Sequence, residues 1–159
     1  MNLFIVFAAK YLFILIGLLA FLWFIFVDKK IQAQIIKLAV ISFPFSFILA
    51  KILGYFISSP RPFVLEHIEP LIKASADNGF PSDHTLLAMT IGLVVFAYNK
   101  KFGMVLVVLS LFVGLGRVLG HAHHTIDVVG SILIASVAVY VSFNFIVQKI
   151  RYKLPYFES

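Results

Sequence analysis

The stretch LFIVFAAKYLFILIGLLAFLWFIFVDKK, residues 3–30, is apolar up to Val27 apart from Lys10, and it ends in three charged residues. About 20 consecutive apolar residues in a helix cross the roughly 30 Å hydrocarbon core of a bilayer. Four further apolar segments follow, at residues 34–57, 82–98, 102–119 and 125–147. The sequence therefore predicts an all-α fold, a polytopic transmembrane helix bundle with about five spans.

The overall composition supports the same fold class. Hydrophobic residues make up 62% of the 159 residues, and charged residues only 13%. Soluble domains are about half apolar and about a quarter charged, so this chain lies outside that class. The sequence contains no cysteine, which excludes disulfide bonds and thiolate chemistry. Because no internal repeat or low-complexity tract divides the chain, we expect residues 1–159 to form a single domain.

The basic residues indicate an orientation rather than a nucleic-acid partner. The net charge is +6, but in a membrane protein Lys and Arg at helix ends mark the cytoplasmic loops. With five spans, one face carries Lys29, Lys30, Lys100, Lys101, Lys149, Arg151 and Lys153. We therefore expect this face to be cytoplasmic, and the loops at 58–80 and 120–124 to lie outside.

Three polar clusters lie on the predicted outer face. They are SSPRPF at 58–63, FPSDHT at 80–85 and GRVLGHAHHTIDVVG at 116–130. Ionisable groups at a membrane are costly, and they usually face a polar cavity or pair with one another. An alternative is that these side chains are satisfied separately by headgroups and water. The interacting set that we expect is Arg61, Asp83, His84, Arg117, His123 and Asp127.

The third cluster combines a histidine and a carboxylate at helical spacing. His123 and Asp127 are four residues apart, which places them on one face of a helix start. A carboxylate can accept a hydrogen bond from one ring nitrogen and leave the other nitrogen free to act as a nucleophile. Arg61 and Arg117 supply planar guanidinium groups that suit phosphate oxygens.

The second cluster has the pattern of a helix start. Ser82 is expected at the N-cap, and the free backbone N–H groups of the first turn attract anions. His84 then lies in that first turn and is expected to point toward the anion. Together with the arginines and His123, these features predict a phosphoryl-transfer site without a metal.

The three clusters resemble the signature motifs of the type-2 phosphatidate phosphatase superfamily of membrane lipid phosphatases. The family pattern is a lysine followed by R-P, then P-S-G-H, then S-R-x5-H-x3-D. The matching residues are Arg61-Pro62, then Pro81-Ser82-Asp83-His84, then Arg117 with His123 and Asp127, within a motif region of about residues 51–130. The strings PRPFV and FPSDHT are most similar to the bacitracin-resistance branch, the undecaprenyl-pyrophosphate phosphatases.

The resemblance implies a role for each matching residue. His123 would be the nucleophile that forms a phosphohistidine, oriented by Asp127, and His84 would be the general acid. Arg61, Arg117 and Ser82 would hold the phosphate oxygens. No metal or other cofactor is implied. The implied substrate is a polyprenyl or glycerolipid phosphate, with undecaprenyl pyrophosphate favoured, at the outer leaflet of a bacterial inner membrane.

The chain departs from the family pattern at several positions. Gly116 replaces the usual serine, so one hydroxyl contact to phosphate would be missing, and Asp83 replaces the usual glycine. Lys51 precedes Arg61 by ten positions instead of seven, but it is still expected to bind phosphate. A pyrophosphate needs more cations than two arginines, and Lys51 or Lys73 could supply them. The common architecture also has six spans, one more than this chain is expected to have.

Other functions remain open from the sequence. The HAHH run at 121–124 could bind a metal together with Asp127, because closely spaced histidines suit metal ions. A non-catalytic lipid-binding protein would keep a degenerate site, and a transporter could use the same histidines. Lys73 and Asp77 are otherwise expected to be solvated loop residues.

Overall fold

The structure, a computed structural model, describes residues 2–153 and the side chains of residues 3–146. The helices are α1 (Asn2–Lys10), α2 (Leu12–Phe26), α3 (Lys29–Phe56), α4 (Pro62–Leu65), α5 (Asp83–Tyr98), α6 (Lys100–Leu119) and α7 (Thr125–Lys153). Among the described residues, the extended backbone is limited to one isolated bridge between Pro60 and Asn78. The all-α prediction is confirmed.

All five predicted segments are helical, but they differ in how far they extend. By length and composition, α3, α6 and residues 125–146 of α7 are long and apolar enough to cross a membrane. Helices α1 and α2 pass the same test only as a pair, and they are bent by 53° where they meet. Helix α5 has only 16 residues. The protein is thus a membrane protein, and its described residues contain three or four helices of spanning length, plus one shorter apolar helix.

Helix α5 lies at the centre of the bundle, which explains why a short helix is apolar all round. It packs against α2, α3, α6 and α7. Its packing on α6 is close because two glycines lie in the contact, as small residues do in membrane bundles. A Cβ atom on Gly103 would overlap the backbone of Phe96, and one on Gly92 would lie 3.0 Å from the backbone nitrogen of Val107.

Short links turn the chain at one end of the bundle. Asp28 caps α3 by accepting a hydrogen bond from the backbone N–H of Lys30 at 2.8 Å. Asn99 caps α6 in the same way, with the N–H of Phe102 at 3.0 Å. Such caps satisfy backbone donors that the first helical turn leaves free. The long loops are therefore left for the opposite end of the bundle.

At that opposite end, the loop before α5 is fixed to the end of α3 by Asn78. Its side-chain amide donates to the carbonyls of Gly54 and Ile57, both at 2.8 Å. Its Oδ1 atom accepts from the backbone N–H groups of Ser59 at 2.9 Å and Phe80 at 3.2 Å. These bonds satisfy carbonyls that the end of α3 would otherwise leave without a partner. The start of α5, with the second polar cluster, is consequently held beside the first cluster at the end of α3.

Candidate active site

A cavity of about 400 Å³ lies where the end of α6 meets the starts of α5 and α7. Arg61, His84, Arg117 and His123 all line it. The sequence separates these residues by up to 62 positions, and the fold brings them to one surface. His84 and His123 thus face the same space from two different parts of the chain.

His123 is buried and held in a defined orientation. Its Nδ1 atom lies 2.8 Å from the carbonyl oxygen of Gly79, so the Nδ1–H donates to that acceptor. Its Nε2 atom lies 3.2 Å from Nη1 of Arg61 and 3.2 Å from Nη2 of Arg117. Guanidinium groups can only donate, so this geometry fits a neutral ring with its lone pair on Nε2. The free nitrogen therefore points into the cationic side of the cavity.

The surroundings of His123 favour this neutral form. Burial lowers the pKa of His123 below its ordinary value of 6.5. A hydrogen bond with Asp127 acts in the opposite direction, but the guanidinium charges of Arg117 and Arg61 lower the pKa further. The imidazole is therefore unprotonated at neutral pH, as a nitrogen nucleophile must be.

Asp127 lies beside His123 as the spacing predicts, but it is not the nearest acceptor. Its Oδ2 atom is 3.5 Å from Nδ1 of His123 and accepts a hydrogen bond of 2.8 Å from the backbone N–H of His124. The carboxylate therefore also satisfies a backbone donor at the start of α7, since His124 directly precedes that helix. Gly79 was missed by the sequence analysis, because a carbonyl acceptor has no side-chain signature.

Arg61 has a carboxylate partner that the sequence analysis assigned to a solvated loop. Its Nη2 and Nε atoms donate to Oδ1 of Asp77 at 2.8 and 3.0 Å, and its Nη1 atom donates to the carbonyl of Ala122 at 3.0 Å. Burial on its own raises the pKa of Asp77, but hydrogen bonds from Arg61 and Ser75 outweigh it and hold that pKa below its ordinary value. Asp77 is thus ionised and fixes the plane of the guanidinium.

Arg117 is held from the N-terminal side of the chain. Its Nη1 atom donates to the carbonyl of Ala9 at 3.4 Å. A Cβ atom on Gly116 would lie 2.8 Å from the backbone nitrogen of Ala9 and 2.9 Å from the Cβ of Ala8. The glycine that replaces the family serine therefore makes room for α1. As a consequence, α1 forms part of the wall of the site.

The two remaining motif residues on α5 have different surroundings. His84 is half-buried, and its ring meets the ring of Phe13 edge to face, with centroids 4.7 Å apart. Ser82 is the N-cap residue, as expected, but its hydroxyl makes no capping bond and lies 3.1 Å from that of Thr85. Ser82 is fully buried and is not among the residues that line the cavity. Its role in phosphate binding stays a prediction.

Lys51 lies outside the cavity that holds the histidines. It borders a neighbouring cavity of about 340 Å³, and its ammonium group lies 5.1 Å from the centre of the Phe47 ring. Seven residues before Arg61, where the family has its lysine, stands Gly54. A Cβ atom on Gly54 would lie 2.9 Å from the carbonyl oxygen of Phe80, so no side chain fits there. Phosphate binding by Lys51 also stays a prediction.

The histidine-rich loop at 121–124 does not have the arrangement of a metal site. Among the described residues, no group of three or more His, Cys, Asp or Glu side chains is arranged to hold a metal ion. His121 is exposed and has a backbone φ of 58°. Nε2 of His124 lies 3.0 Å from the carbonyl oxygen of Pro60. The three histidines of this loop are therefore not gathered round one point.

The sequence that contains the three motifs also matches a known protein family. A family model described as the PAP2 superfamily matches residues 36–151, which is most of the chain. The chain belongs to the PAP2 superfamily. This is the type-2 phosphatidate phosphatase superfamily that the three clusters resemble, so the predicted family is confirmed.

Two curated relatives, both named BcrC, are similar to parts of the chain. Over 135 residues it is 34% identical to the bacitracin transport permease protein BcrC of Bacillus licheniformis, covering 84% of this chain and 66% of the relative. Over 87 residues it is 40% identical to the undecaprenyl-diphosphatase BcrC of Bacillus subtilis, covering 54% and 45%. The chain thus spans just under two thirds of the first relative's length and less than half of the second's.

A solved structure shows the same fold. The crystal structure of Aquifex aeolicus LpxE matches with a TM-score of 0.69 over 89% of this chain and 81% of that chain. The sequence identity is 24%, so the likeness shows the arrangement of the helices. Lys10 and Phe13 precede the residues that the PAP2 model matches, and both line the cavity.

Proposed function

We propose that the chain is an integral membrane lipid phosphatase that removes the terminal phosphate of a polyprenyl diphosphate such as undecaprenyl pyrophosphate. The observation that carries this proposal is the Nε2 atom of His123, 3.2 Å from each of two guanidinium groups in a cavity that His84 also lines. The name of the Bacillus subtilis relative, undecaprenyl-diphosphatase BcrC, supports the substrate class.

In the proposed first step, the terminal phosphate lies between Arg61 and Arg117. Nε2 of His123 attacks phosphorus and forms the P–N bond, while the bond from phosphorus to the bridging oxygen breaks. The leaving lipid monophosphate accepts a proton from His84. The guanidinium groups stabilise the charge that spreads over the equatorial oxygens, which is the dominant contribution in phosphoryl transfer. A bound phosphate dianion favours the protonated imidazole that His84 needs for this step.

In the second step, water hydrolyses the phosphohistidine. His84 accepts a proton from the attacking water, the P–N bond breaks, and inorganic phosphate and neutral His123 are released. The contact from Nδ1–H to the Gly79 carbonyl keeps Nε2 as the reacting nitrogen throughout. One residue thus acts as general acid and then as general base.

The proposed location is the outer leaflet of a bacterial inner membrane. The cavity lies at the end of the bundle that carries the loops at 58–80 and 120–124. Lys29, Lys30, Lys100 and Lys101 lie at the starts of α3 and α6, at the other end. The positive-inside rule assigns the lysine-rich end to the cytoplasm, which supports a site that faces outward.

The proposal is tested by phosphate release from purified protein in detergent, with a chelator present. The substrates are undecaprenyl pyrophosphate, phosphatidate and phosphatidylglycerol phosphate. We expect the highest kcat/KM with the pyrophosphate. Higher kcat/KM with phosphatidate would overturn the substrate assignment, and no release from any of the three would overturn the phosphatase.

His123→Ala should reduce release to less than about one per cent, because covalent catalysis loses its nucleophile. A matched control is His67→Asn, since His67 is exposed in the loop before α5, and asparagine tolerates its positive φ of 52°. Rapid acid-free quenching of wild-type protein with labelled substrate should trap phosphohistidine. Activity of His123→Ala above a few per cent would remove this residue from the nucleophile role.

His84→Ala tests the general acid. Loss of a positioned acid typically costs about 10²–10⁴ in rate. The loss should be larger for phosphatidate, whose leaving alkoxide depends strongly on that proton, than for a pyrophosphate, whose more acidic leaving phosphate depends on it less. Equal losses for both substrates would contradict the assignment of His84.

A further inference from the structure

Two lysines line the cavity and take no part in the proposed steps. Lys10 enters it from the break between α1 and α2, and Lys73 enters it from the loop before α5. Neither makes an ion pair with a carboxylate among the side chains that the structure describes. Arg61, by contrast, already carries Asp77 on two of its nitrogens.

A single buried cluster positions both lysines and the nucleophile. Ala9, Ile72 and Ala122 are 0–2% exposed and pack together. The residues that directly follow them in the chain are Lys10, Lys73 and His123, and each of these lines the cavity. The backbone N–H of Leu71 also donates to the carbonyl of Gly120 at 3.2 Å, which ties the loop to the end of α6. The lysines are therefore placed by the same packing that places His123.

The position of Lys10 explains an otherwise costly charge. It is the one charged residue between residues 3 and 27. An ammonium group in an apolar segment is expected to face a polar cavity. The helix break at Tyr11 allows this, because α1 turns by 53° and lies against Gly116 instead of continuing the line of α2.

We infer that Lys10 and Lys73 bind the second phosphate of a lipid diphosphate and thereby make the site selective for diphosphates over monophosphates. This inference rests on the proposed function. When Nε2 of His123 attacks the terminal phosphorus in line, the leaving phosphate lies on the far side of that phosphorus. Charge builds on it as the bridging P–O bond breaks, and two ammonium groups stabilise that charge. A lipid monophosphate has no group at this place.

The test uses a prenyl diphosphate and a prenyl monophosphate that share one chain, so that they differ only in the number of phosphates. Lys10→Met should lower kcat/KM for the diphosphate by about tenfold to a hundredfold, the effect of losing a charge-assisted hydrogen bond. It should change kcat/KM for the monophosphate by less than about threefold. Lys10→Arg, which keeps the charge, should restore most of the diphosphate activity.

Lys73→Met provides a second variant on an exposed loop, in case the change in the helix disturbs folding, and the same selective loss is expected. Lys30→Met is the matched control, since Lys30 lies at the start of α3 at the other end of the bundle. Elution volume and thermal unfolding in detergent report whether each variant is folded.

The possible outcomes separate the inference from the function on which it rests. Equal effects of Lys10→Met on both substrates, or no effect on either, would overturn the inference while wild-type release of phosphate upholds the phosphatase. Wild-type activity on the monophosphate alone would overturn both the inference and the diphosphate assignment. No activity on either substrate would overturn the proposed function itself.

Discussion

Gly116→Ser would restore the residue that the family pattern has at this position, and we expect it to lower both the activity and the thermal stability of the protein. The prediction follows from the backbone of α1. A Cβ atom at residue 116 would lie 2.8 Å from the backbone nitrogen of Ala9 and 3.0 Å from the carbonyl carbon of Ala8. Non-bonded heavy atoms prefer separations of about 3.5 Å or more, so α1 would have to retreat by about 0.7 Å.

The effect of moving α1 on stability and on activity can be estimated from the contact of Gly116 with α1 and from the hydrogen bond between Arg117 and Ala9. Overpacking of this kind typically destabilises a protein by about 1–3 kcal/mol. The bond from Arg117 to the Ala9 carbonyl is already 3.4 Å long, so it would break as α1 moves. Misplacement of a catalytic group by about 1 Å costs about a hundredfold in rate. We therefore expect a fall in kcat/KM of about tenfold to a hundredfold, together with a lower melting temperature.

The assay compares Gly116→Ser, Gly116→Ala and wild type by phosphate release and by thermal unfolding in detergent. Since the added Cβ causes the clash, serine and alanine should be similarly harmful. Gly17→Ala in α2 is the matched control, because its Cβ would meet the side chain of Ile91 at an ordinary 3.9 Å. If serine raised activity while alanine lowered it, the hydroxyl would matter more than the space, and the steric reasoning would be refuted.

Three further predictions concern His123 and the loop before α5. As the pH falls, kcat/KM should decrease with a midpoint below pH 6.5, because burial lowers the pKa of His123 and the ring must be unprotonated to attack. Asp127→Asn removes an interaction that raises this pKa, so the midpoint should move to still lower pH. A midpoint at higher pH in this variant would contradict the assignment of His123 as the nucleophile. Gly79→Ala would place a Cβ 2.9 Å from Oδ2 of Asp127. Crowding of this kind costs about 1–3 kcal/mol, and we expect phosphate release to fall by about fivefold to a hundredfold. Release at the wild-type rate would show that the neighbouring side chain moves aside without loss of activity. Asn78→Ala removes the amide that ties the loop to the end of α3 and should lower the free energy of unfolding by about 1–3 kcal/mol; an unchanged denaturation midpoint would mean that water replaces the amide without cost.

The sequence by itself determined the fold class, and it indicated the residues that we propose for the site. Apolar runs of spanning length require helices, since a bilayer leaves no other partner for backbone N–H and C=O groups. The spacing of Arg117, His123 and Asp127 within one short stretch indicated that their side chains act together. Both inferences could be made from the sequence for a physical reason. Contacts between residues a few positions apart follow from helical spacing, and charged side chains in a membrane protein have to face a polar cavity or pair with one another.

Only the tertiary structure decided how the site is completed. The partners of His123 and Arg117 include the carbonyls of Gly79 and Ala9, which are 44 and 108 residues away in the chain. A carbonyl acceptor is present at every residue, so no sequence pattern distinguishes these two. Lys10, and not Lys51, lines the cavity that holds the histidines. This placement depends on where the chain bends between α1 and α2 and on how closely Gly116 lets α1 approach α6. Such long-range contacts depend on how all the helices of the bundle pack together, and the sequence of a single segment does not determine that packing.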